Sequence, residues 1–349
     1  ITDPDCDDDG ILDGDDADLI LLSIAPEISA GYGKIFAYLN DNLNQAYLTV
    51  DLATRVLRTE RIGRLGLQSR LMKGAPLIQN RLLLLNPEEG VETHTARRVH
   101  PSGRLLQWLL EEKELPESVG FRPIDTSGEV FTPGLTGDRL EQIGKNLHQA
   151  VTLVITGSTS GSREGVAIDI AKRANRPLVR VDLDRCRQYL EQPYELVREL
   201  RLSGALPLLI NVAEQQEDPQ LRVQVQQLGA AIAKLPYPVI VGGTDRRSVG
   251  ALLGGDRPSL TIQVQRSTLD ERIYAWTDAM GRRGWSQEKG KDVAERFYSV
   301  GGTTIHKVLE RASAECGGQE PTLDAMWAAA RECSRPEFQG LAEHIVPRY

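Results

Sequence analysis

Residues 151–165 read VTLVITGSTSGSREG, and this stretch decides the fold that the sequence predicts. The continuous apolar run from Val151 to Thr156 is typical of a buried strand, and a short loop of Gly and Ser follows it. The pattern after the loop is helical. A strand that passes through a small-residue loop into a helix is the setting of a phosphate-binding loop, in which backbone amides at the helix N-terminus face the anion.

Similar apolar runs recur along the chain with helical segments between them. These runs are residues 151–156, 178–183, 206–211, 239–244 and 260–264. Parallel strands that are covered by helices on both faces have this uninterrupted apolar character. From residue 268 onward the pattern is helical throughout. We therefore expect an α/β fold, a P-loop NTPase core of the AAA+ type with a five-stranded parallel sheet, followed by a helical lid.

The phosphate loop departs from the working motif G-x-x-x-x-G-K-[ST] at most of its chemical positions. Gly157 keeps the first glycine, and Gly161 lies one residue before the second glycine position, which Ser162 fills. Arg163 replaces the lysine, and a planar guanidinium is a poor substitute for a compact ammonium. Glu164 replaces the hydroxyl that binds magnesium, and its carboxylate would repel phosphates. We expect loss of hydrolysis at this loop.

The third strand lacks the acidic pair that holds magnesium and orients water in such enzymes. Asn211 and a valine stand at its end, and Glu214 would need a shifted backbone to take their place. Thr244, after the fourth strand, is the candidate sensor of the γ-phosphate. The candidate arginine fingers toward a neighbouring subunit are Arg246 and Arg247. The sequence predicts no catalytic residue, no metal ligand and no cofactor in this module, with binding of ATP or ADP and Mg²⁺ as the alternative.

Three short helical stripes and a strand pair precede this core, in an order typical of a winged-helix domain. The predicted organisation is a winged-helix-like domain with an acidic leader (1–115), a linker (116–140), the degenerate AAA+ core (141–266), the lid (267–340) and a last segment (341–349). Residues 1–50 hold eleven acidic side chains and one lysine, whereas residues 51–110 hold ten Lys and Arg against five acids.

The composition sets limits on the function class. The net charge of -8 over 349 residues argues against a nucleic-acid binder as a whole, and no apolar run is long enough to span a membrane. The start is acidic, unlike a signal peptide. The four scattered cysteines, Cys6, Cys186, Cys316 and Cys333, show no metal spacing and indicate a cytoplasmic protein with reduced thiols.

Two further patterns carry alternative hypotheses. The acidic leader matches a calcium loop in the positions of five carboxylates, Asp5, Asp7, Asp9, Asp13 and Asp16. The alternative is a leader whose acids cap the following helix. A basic strip recurs every three residues at Arg55, Arg58, Arg61 and Arg64. It either faces DNA phosphates or is a solvated or protein-contacting face.

Four segments resemble a known group, the bacterial AAA+ ATPases with an N-terminal winged-helix domain and two tandem ATPase modules. The segments are residues 21–27 (LLSIAPE), residues 36–39 with 49–52 (FAYL, TVDL), residues 176–183 (RPLVRVDL) and residues 341–349 (LAEHIVPRY). Many members of this group are encoded with contractile injection systems. The resemblance implies a degenerate first module, a second module with an intact loop beyond residue 349, and a hexameric ring that remodels a protein complex.

The leading hypothesis is therefore a non-catalytic module that serves ring assembly, with a winged-helix adaptor for a protein partner or substrate. The first alternative is a weakly active ATPase that uses Arg163 and Glu214. The second is a nucleic-acid-binding regulator that uses the winged helix. Nucleic-acid and membrane partners are not expected.

Overall fold

The computed structural model divides the chain into two compact units. The first comprises residues 1–116 with 191–203, and the second comprises residues 117–190 with 204–349. The structure describes residues 14–86, 93–110, 120–126, 143–144, 147, 150–157, 160–212, 218–244, 249–250, 252, 257–265, 267–296 and 303–334.

The first unit is mainly helical, with one antiparallel strand pair. Its helices are α1 (Gly14–Ile28), α2 (Ala30–Leu39), α3 (Val50–Leu57), α4 (Arg61–Arg70), α5 (Pro76–Gln79), α6 (Gly103–Leu109) and, later in the chain, α9 (Pro193–Ser203). The strands are β1 (Leu83–Asn86) and β2 (Arg98–Pro101), paired so that Leu84 lies opposite His100. A strand pair follows the helices as predicted, but five helices precede it among the described residues rather than the three that the sequence predicted.

Polar caps define where these helices begin. The Thr49 hydroxyl accepts a hydrogen bond from the Leu52 amide at 3.1 Å, and the Ser102 hydroxyl accepts one from Leu105 at 3.2 Å. Each cap satisfies a backbone N–H that has no partner within its own helix. The helices bury one apolar cluster, whose largest members are Leu19, Phe36, Leu52, Leu67, Leu71, Leu77, Leu83 and Leu105.

Helix α9 joins this unit through a buried charge cluster. The Glu199 carboxylate accepts from Nε of Arg104 at 2.7 Å and from the guanidinium of Arg198 at 2.9 Å. The Glu199 side chain is 3% exposed, and each arginine side chain is 12% exposed. Trp108 Nε1 also donates to the Leu202 carbonyl at 3.0 Å. Two ionic contacts and one indole hydrogen bond therefore hold α9 in place.

No single helix among the described residues is long and apolar enough to cross a membrane. Helices α1 and α2 reach that length and composition only together, across a bend of 116°.

The second unit is built on a mostly parallel sheet. Its strands are β3 (Phe121–Ile124), β4 (Thr152–Thr156), β5 (Leu178–Asp182), β6 (Leu206–Ile210), β7 (Val239–Gly243) and β8 (Ser259–Gln263), arranged in the spatial order β3-β5-β6-β7-β4-β8. Strands β4 to β8 are parallel and lie within a residue of the five predicted runs. The predicted five-stranded parallel sheet is confirmed.

Strand β3 is an addition to that prediction. It pairs antiparallel with β5 at the edge of the sheet and lies within the segment predicted as a linker. Pro123 in its middle is tolerated because an edge strand needs hydrogen bonds on one side only. The same proline, with Arg122 beside it, hides the strand from a search for apolar runs.

Helices surround and follow this sheet. They are α7 (Ser160–Ala174), α8 (Arg187–Glu191), α10 (Pro219–Ile232), α11 (Leu269–Gly281), α12 (Gln287–Arg296), α13 (Thr303–Glu315) and α14 (Leu323–Ser334). Helix α11 begins with a capping box between Thr268 and Glu271. The last four helices bury their own apolar cluster, which includes Trp276, Met280, Val293, Val308, Leu309 and Met326.

Arg257 supports the sheet by binding backbone carbonyls. Its guanidinium donates to Ile232 at 3.1 Å and to Leu235 at 2.8 Å at the end of α10, and to Val151 at 3.2 Å beside β4. Burial lowers the pKa of Arg257 to about 10. The side chain satisfies carbonyls that the helix terminus leaves without an internal partner.

Candidate functional site

The carboxyl ends of the central strands bring three predicted residues to one edge of the sheet. Gly157 follows β4 and Thr244 follows β7, and these strands pair so that Thr156 lies opposite Gly243. Asn211 follows β6, which pairs with β7. Open α/β sheets bind ligands at this edge. The location is therefore the one that the sequence predicted for a phosphate loop.

Gly157 has a packing role that does not involve a phosphate. A Cβ atom at this position would lie 3.1 Å from both the Cβ and the carbonyl oxygen of Val264. The amide of Val264 also donates to the Thr156 carbonyl at 2.7 Å, which draws the end of β8 against the loop. A side chain at this position would require Val264 to shift slightly, so the close approach of the neighbouring strand favours the one glycine that the loop keeps from the working motif.

Arg163, at the lysine position, is bonded to the loop itself. Its guanidinium donates to the backbone carbonyl of Gly157. Ser162, Arg163 and Glu164 all lie within α7, at the start of the helix. At least one N–H donor of this guanidinium therefore satisfies an acceptor of the loop itself.

Glu164, at the hydroxyl position, is surrounded by cations of the chain. Its carboxylate lies 3.4 Å from the guanidinium of Arg180 on β5 and 3.5 Å from Nζ of Lys307 on α13. The Glu164 side chain is 13% exposed. The position that holds magnesium in a working loop therefore carries a carboxylate neutralised by two side chains.

Asn211 adopts a left-handed backbone, with φ of 58°, and its amide donates to Oδ1 of Asp182 at 2.8 Å. Asparagine tolerates this conformation better than most residues. Asp182 is buried at the end of β5. A carboxylate is thus present near the end of the third strand, but it comes from the neighbouring strand and is bound by the asparagine.

Sequence reasoning missed three residues of this site, namely Asp182, Arg180 and Lys307. Arg180 carried a signal, because an arginine inside an otherwise apolar strand needs a partner. Lys307 carried none, since it is far from the loop in sequence. Glu214, Arg246 and Arg247 lie outside the described residues, so their predicted roles stay predictions.

The residues present do not fit a magnesium-bound nucleotide in a reactive pose. Arg163 is bonded to the loop carbonyl, Glu164 replaces the hydroxyl, and Asn211 supplies no charge. Thr244 is exposed at the end of β7. In the described part of the chain, no group of three or more His, Cys, Asp or Glu side chains could hold a metal ion.

The predicted calcium loop falls mostly outside the described residues, which begin at residue 14. Its last candidate, Asp16, lies in the first turn of α1 and is buried. Arg70 approaches its Oδ1 atom at 3.3 Å, and Arg58 forms an ion pair with the neighbouring Asp15. The carboxylates at the start of this helix are therefore engaged by arginines of the same domain.

The basic strip beside α3 is largely engaged in the same way. Arg55 pairs with Asp51 at 2.8 Å, and Arg58 pairs with Asp15. Arg64 donates to the Arg58 carbonyl at 3.0 Å. The guanidinium groups of Arg55, Arg58 and Arg64 thus hold protein acceptors, and the DNA hypothesis stays a prediction.

Comparison with known proteins identifies the first domain. Residues 11–121 match a family model described as "Winged helix domain, variant". The N-terminal domain is a winged-helix domain. This match and the mostly parallel sheet confirm the predicted order of a winged-helix domain followed by an α/β domain.

The chain is also similar to a solved structure, described as the crystal structure of the FIGL-1 AAA domain in complex with ADP. The two share 11% identity, with a TM-score of 0.40, over 62% of this chain and 87% of that chain. No curated protein matches the chain in sequence.

Proposed function

We propose that the second unit is a non-catalytic module of the AAA+ type that serves ring assembly, and that the winged-helix domain is its adaptor for a protein partner. The module would belong to a tandem ATPase that remodels or disassembles a protein complex. The single observation on which the proposal depends is the hydrogen bond from the Arg163 guanidinium to the carbonyl of Gly157, within the loop itself.

The surrounding charges support the same proposal. Phosphoryl transfer depends on positioning and on cations that face the phosphates. Here Arg180 and Lys307 face the carboxylate of Glu164 instead. Gly157, the one glycine that the loop shares with the working motif, packs closely against Val264. The loop therefore matches the working motif at a position that serves packing, and it differs from the motif at the positions that would bind phosphate and magnesium.

A turnover measurement tests the proposal. We expect the chain to release no phosphate from Mg²⁺-ATP above the background of a heat-inactivated sample. Two variants give a matched comparison: Arg163→Ala removes the loop cation, and Arg173→Ala removes an arginine at the end of the same helix that pairs with Asp169. Turnover that is abolished by Arg163→Ala and kept in Arg173→Ala would overturn the proposal.

The oligomeric state gives a second readout. A structural ring element should associate without a nucleotide, because the loop contributes packing rather than phosphate contacts. Sedimentation of the chain should give the same distribution with and without Mg²⁺-ATP. A nucleotide-dependent shift to larger species would favour the alternative of an ATP-binding module.

A further inference from the structure

A cleft lined mainly by arginine opens at the edge of the sheet in the second unit, beside the paired strands β3 and β5. Its volume is about 160 Å³, and its lining residues are Gly120, Arg122, Arg180, Asp182 and Arg185. The cleft shares Arg180 and Asp182 with the surroundings of the candidate loop, whereas Arg122 and Arg185 have no part in the proposed structural role.

The strand register forces two of these arginines together. Arg122 on β3 lies directly opposite Arg180 on β5, so their side chains leave the same face of the sheet. Like charges directly opposite each other destabilise a strand pair. Charge on an edge strand commonly prevents pairing with another chain, and this would explain Arg122 alone. It does not explain a second cation across from it.

Gly120 brings the third arginine close. A Cβ atom at this position would lie 2.4 Å from Sγ of Cys186 and 2.9 Å from Cβ of Arg185. The Gly120 carbonyl also accepts from the Asp182 amide at 2.8 Å. Only a glycine permits the segment after β5 to approach β3 this closely, and this approach places Arg185 at the cleft.

The nearby carboxylates leave the cleft positively charged. Asp182 accepts from the Asn211 amide at 2.8 Å and lies 3.8 Å from Arg185. Glu164 lies 3.4 Å from Arg180 and also serves Lys307. Arg122 has no ion pair with any residue that the structure describes. Among the lining residues, three arginines thus face one carboxylate, Asp182, and the ion pairs of Arg180 and Arg185 are long, at 3.4 and 3.8 Å.

We propose that this cleft binds a phosphate-class oxyanion, either free or as the end group of a larger ligand. Guanidinium groups match phosphate oxygens with paired hydrogen bonds. A phosphate group carries nearly two negative charges at neutral pH and offers three acceptor oxygens. It can therefore bind three arginines at once better than a carboxylate can. The volume lies below the range of about 300–1,000 Å³ for sites that enclose drug-sized ligands, so the cleft has room for a phosphate group rather than for an enclosed nucleotide.

The test is a titration of the whole chain with inorganic phosphate, followed by calorimetry and by thermal unfolding, with chloride holding the ionic strength constant. Phosphate should raise the Tm, because a ligand that binds the folded state stabilises it. Arg122→Gln should weaken phosphate binding about tenfold or more, since charge-assisted hydrogen bonds are lost. Arg222→Gln, an exposed arginine on α10 with the same charge change, should bind as the original chain does.

Equal loss in both variants, or no loss in Arg122→Gln, would overturn the proposal. Arg122→Gln removes a like-charge pair, so its Tm without phosphate should not fall. Arg122→Lys supplies a second check, because lysine keeps the positive charge but lacks the paired N–H donors of the planar guanidinium. Its phosphate affinity should lie between those of the original chain and Arg122→Gln, and full affinity in Arg122→Lys would contradict a site built on paired hydrogen bonds.

Three further titrations distinguish the sources of the anion. Pyrophosphate and metal-free ATP that bind in the original chain and weaken in Arg122→Gln would identify the end group of a larger phosphate compound. A loss of affinity in Arg122→Gln that is confined to inorganic phosphate would identify the free ion as the ligand. Citrate that binds as tightly as phosphate would contradict a phosphate site and indicate a site for carboxylates.

Discussion

Two carboxylates, one in each unit, are each bound by two cations. The comparison between them shows which kind of ion pair stabilises the fold and which kind can exchange its partners. Glu199 in the first unit meets Arg104 and Arg198 at 2.7 and 2.9 Å with 3% of its side chain exposed. Glu164 in the second unit meets Arg180 and Lys307 at 3.4 and 3.5 Å with 13% exposed. Lys307 is itself 60% exposed.

The difference in solvent access decides what each cluster can do. Removing one partner of a short, buried ion pair strongly destabilises the folded protein, because the other charge stays buried without a partner. A long pair with a solvent-exposed partner contributes little, and water or another ion can replace it. The cluster around Glu199 is therefore a fixed structural element, whereas the cations around Glu164 can change partners at little cost.

The largest expected effect is that of Glu199→Gln. The replacement keeps the shape and removes the charge that serves two nearly buried arginines, so the free energy of unfolding should fall by about 3–5 kcal/mol. Urea denaturation followed by fluorescence measures this loss. Glu195→Gln is the matched control on the same helix, because its pair with Arg81 is exposed, and it should cost less than about 1 kcal/mol. Similar losses in both variants would remove the distinction drawn above.

The next effect is a coupling between the two ends of the buried pair. Arg104→Met combined with Glu199→Leu removes a charge of each sign, so no partner in that pair stays uncompensated. The double variant should lose less stability than the sum of the two single variants, by about 0.5–3 kcal/mol. The same denaturation series measures this coupling energy, and strict additivity would show that Arg104 and Glu199 do not act as a pair.

A smaller effect is expected at the phosphate loop. Glu164→Gln should change the free energy of unfolding by less than about 1 kcal/mol, because its cations are long-range and partly solvated. The difference from the original chain should shrink further at high salt, since screening weakens exposed charge pairs. A loss as large as that of Glu199→Gln would instead make this cluster part of the stabilising core.

The smallest effect concerns a third carboxylate, Glu320, which is about one-third exposed (34%) and lies in the chain between α13 and α14. The hydrogen bond from Lys289 Nζ, at 2.6 Å, holds the pKa of Glu320 below its ordinary value. The contribution of Glu320 to folding stability is therefore fully present above the pKa that it has in the unfolded chain. It is lost as the pH falls through the lower pKa that it has in the folded protein. Carbon-detected NMR titration should show the depressed pKa of Glu320, and Lys289→Met should raise it. An unchanged titration in that variant would contradict the assigned cause.

The sheet was predictable from the sequence because each central strand is an uninterrupted apolar run, and the five runs match β4 to β8 closely. Strand β3 was not, since Arg122 and Pro123 interrupt it and its register with β5 is set by tertiary pairing. The candidate loop was predictable from its Gly and Ser residues. The partners of its charged side chains were not, because Glu164 and Lys307 are 143 positions apart and only the fold brings them together.

Helix α9 makes the first unit discontinuous in the gene, since its residues are encoded between β5 and β6. A gene divided at residue 116 would therefore place Glu199 in one polypeptide and its partner Arg104 in the other. Transplanting the winged-helix domain into another protein requires residues 191–203 to travel with it.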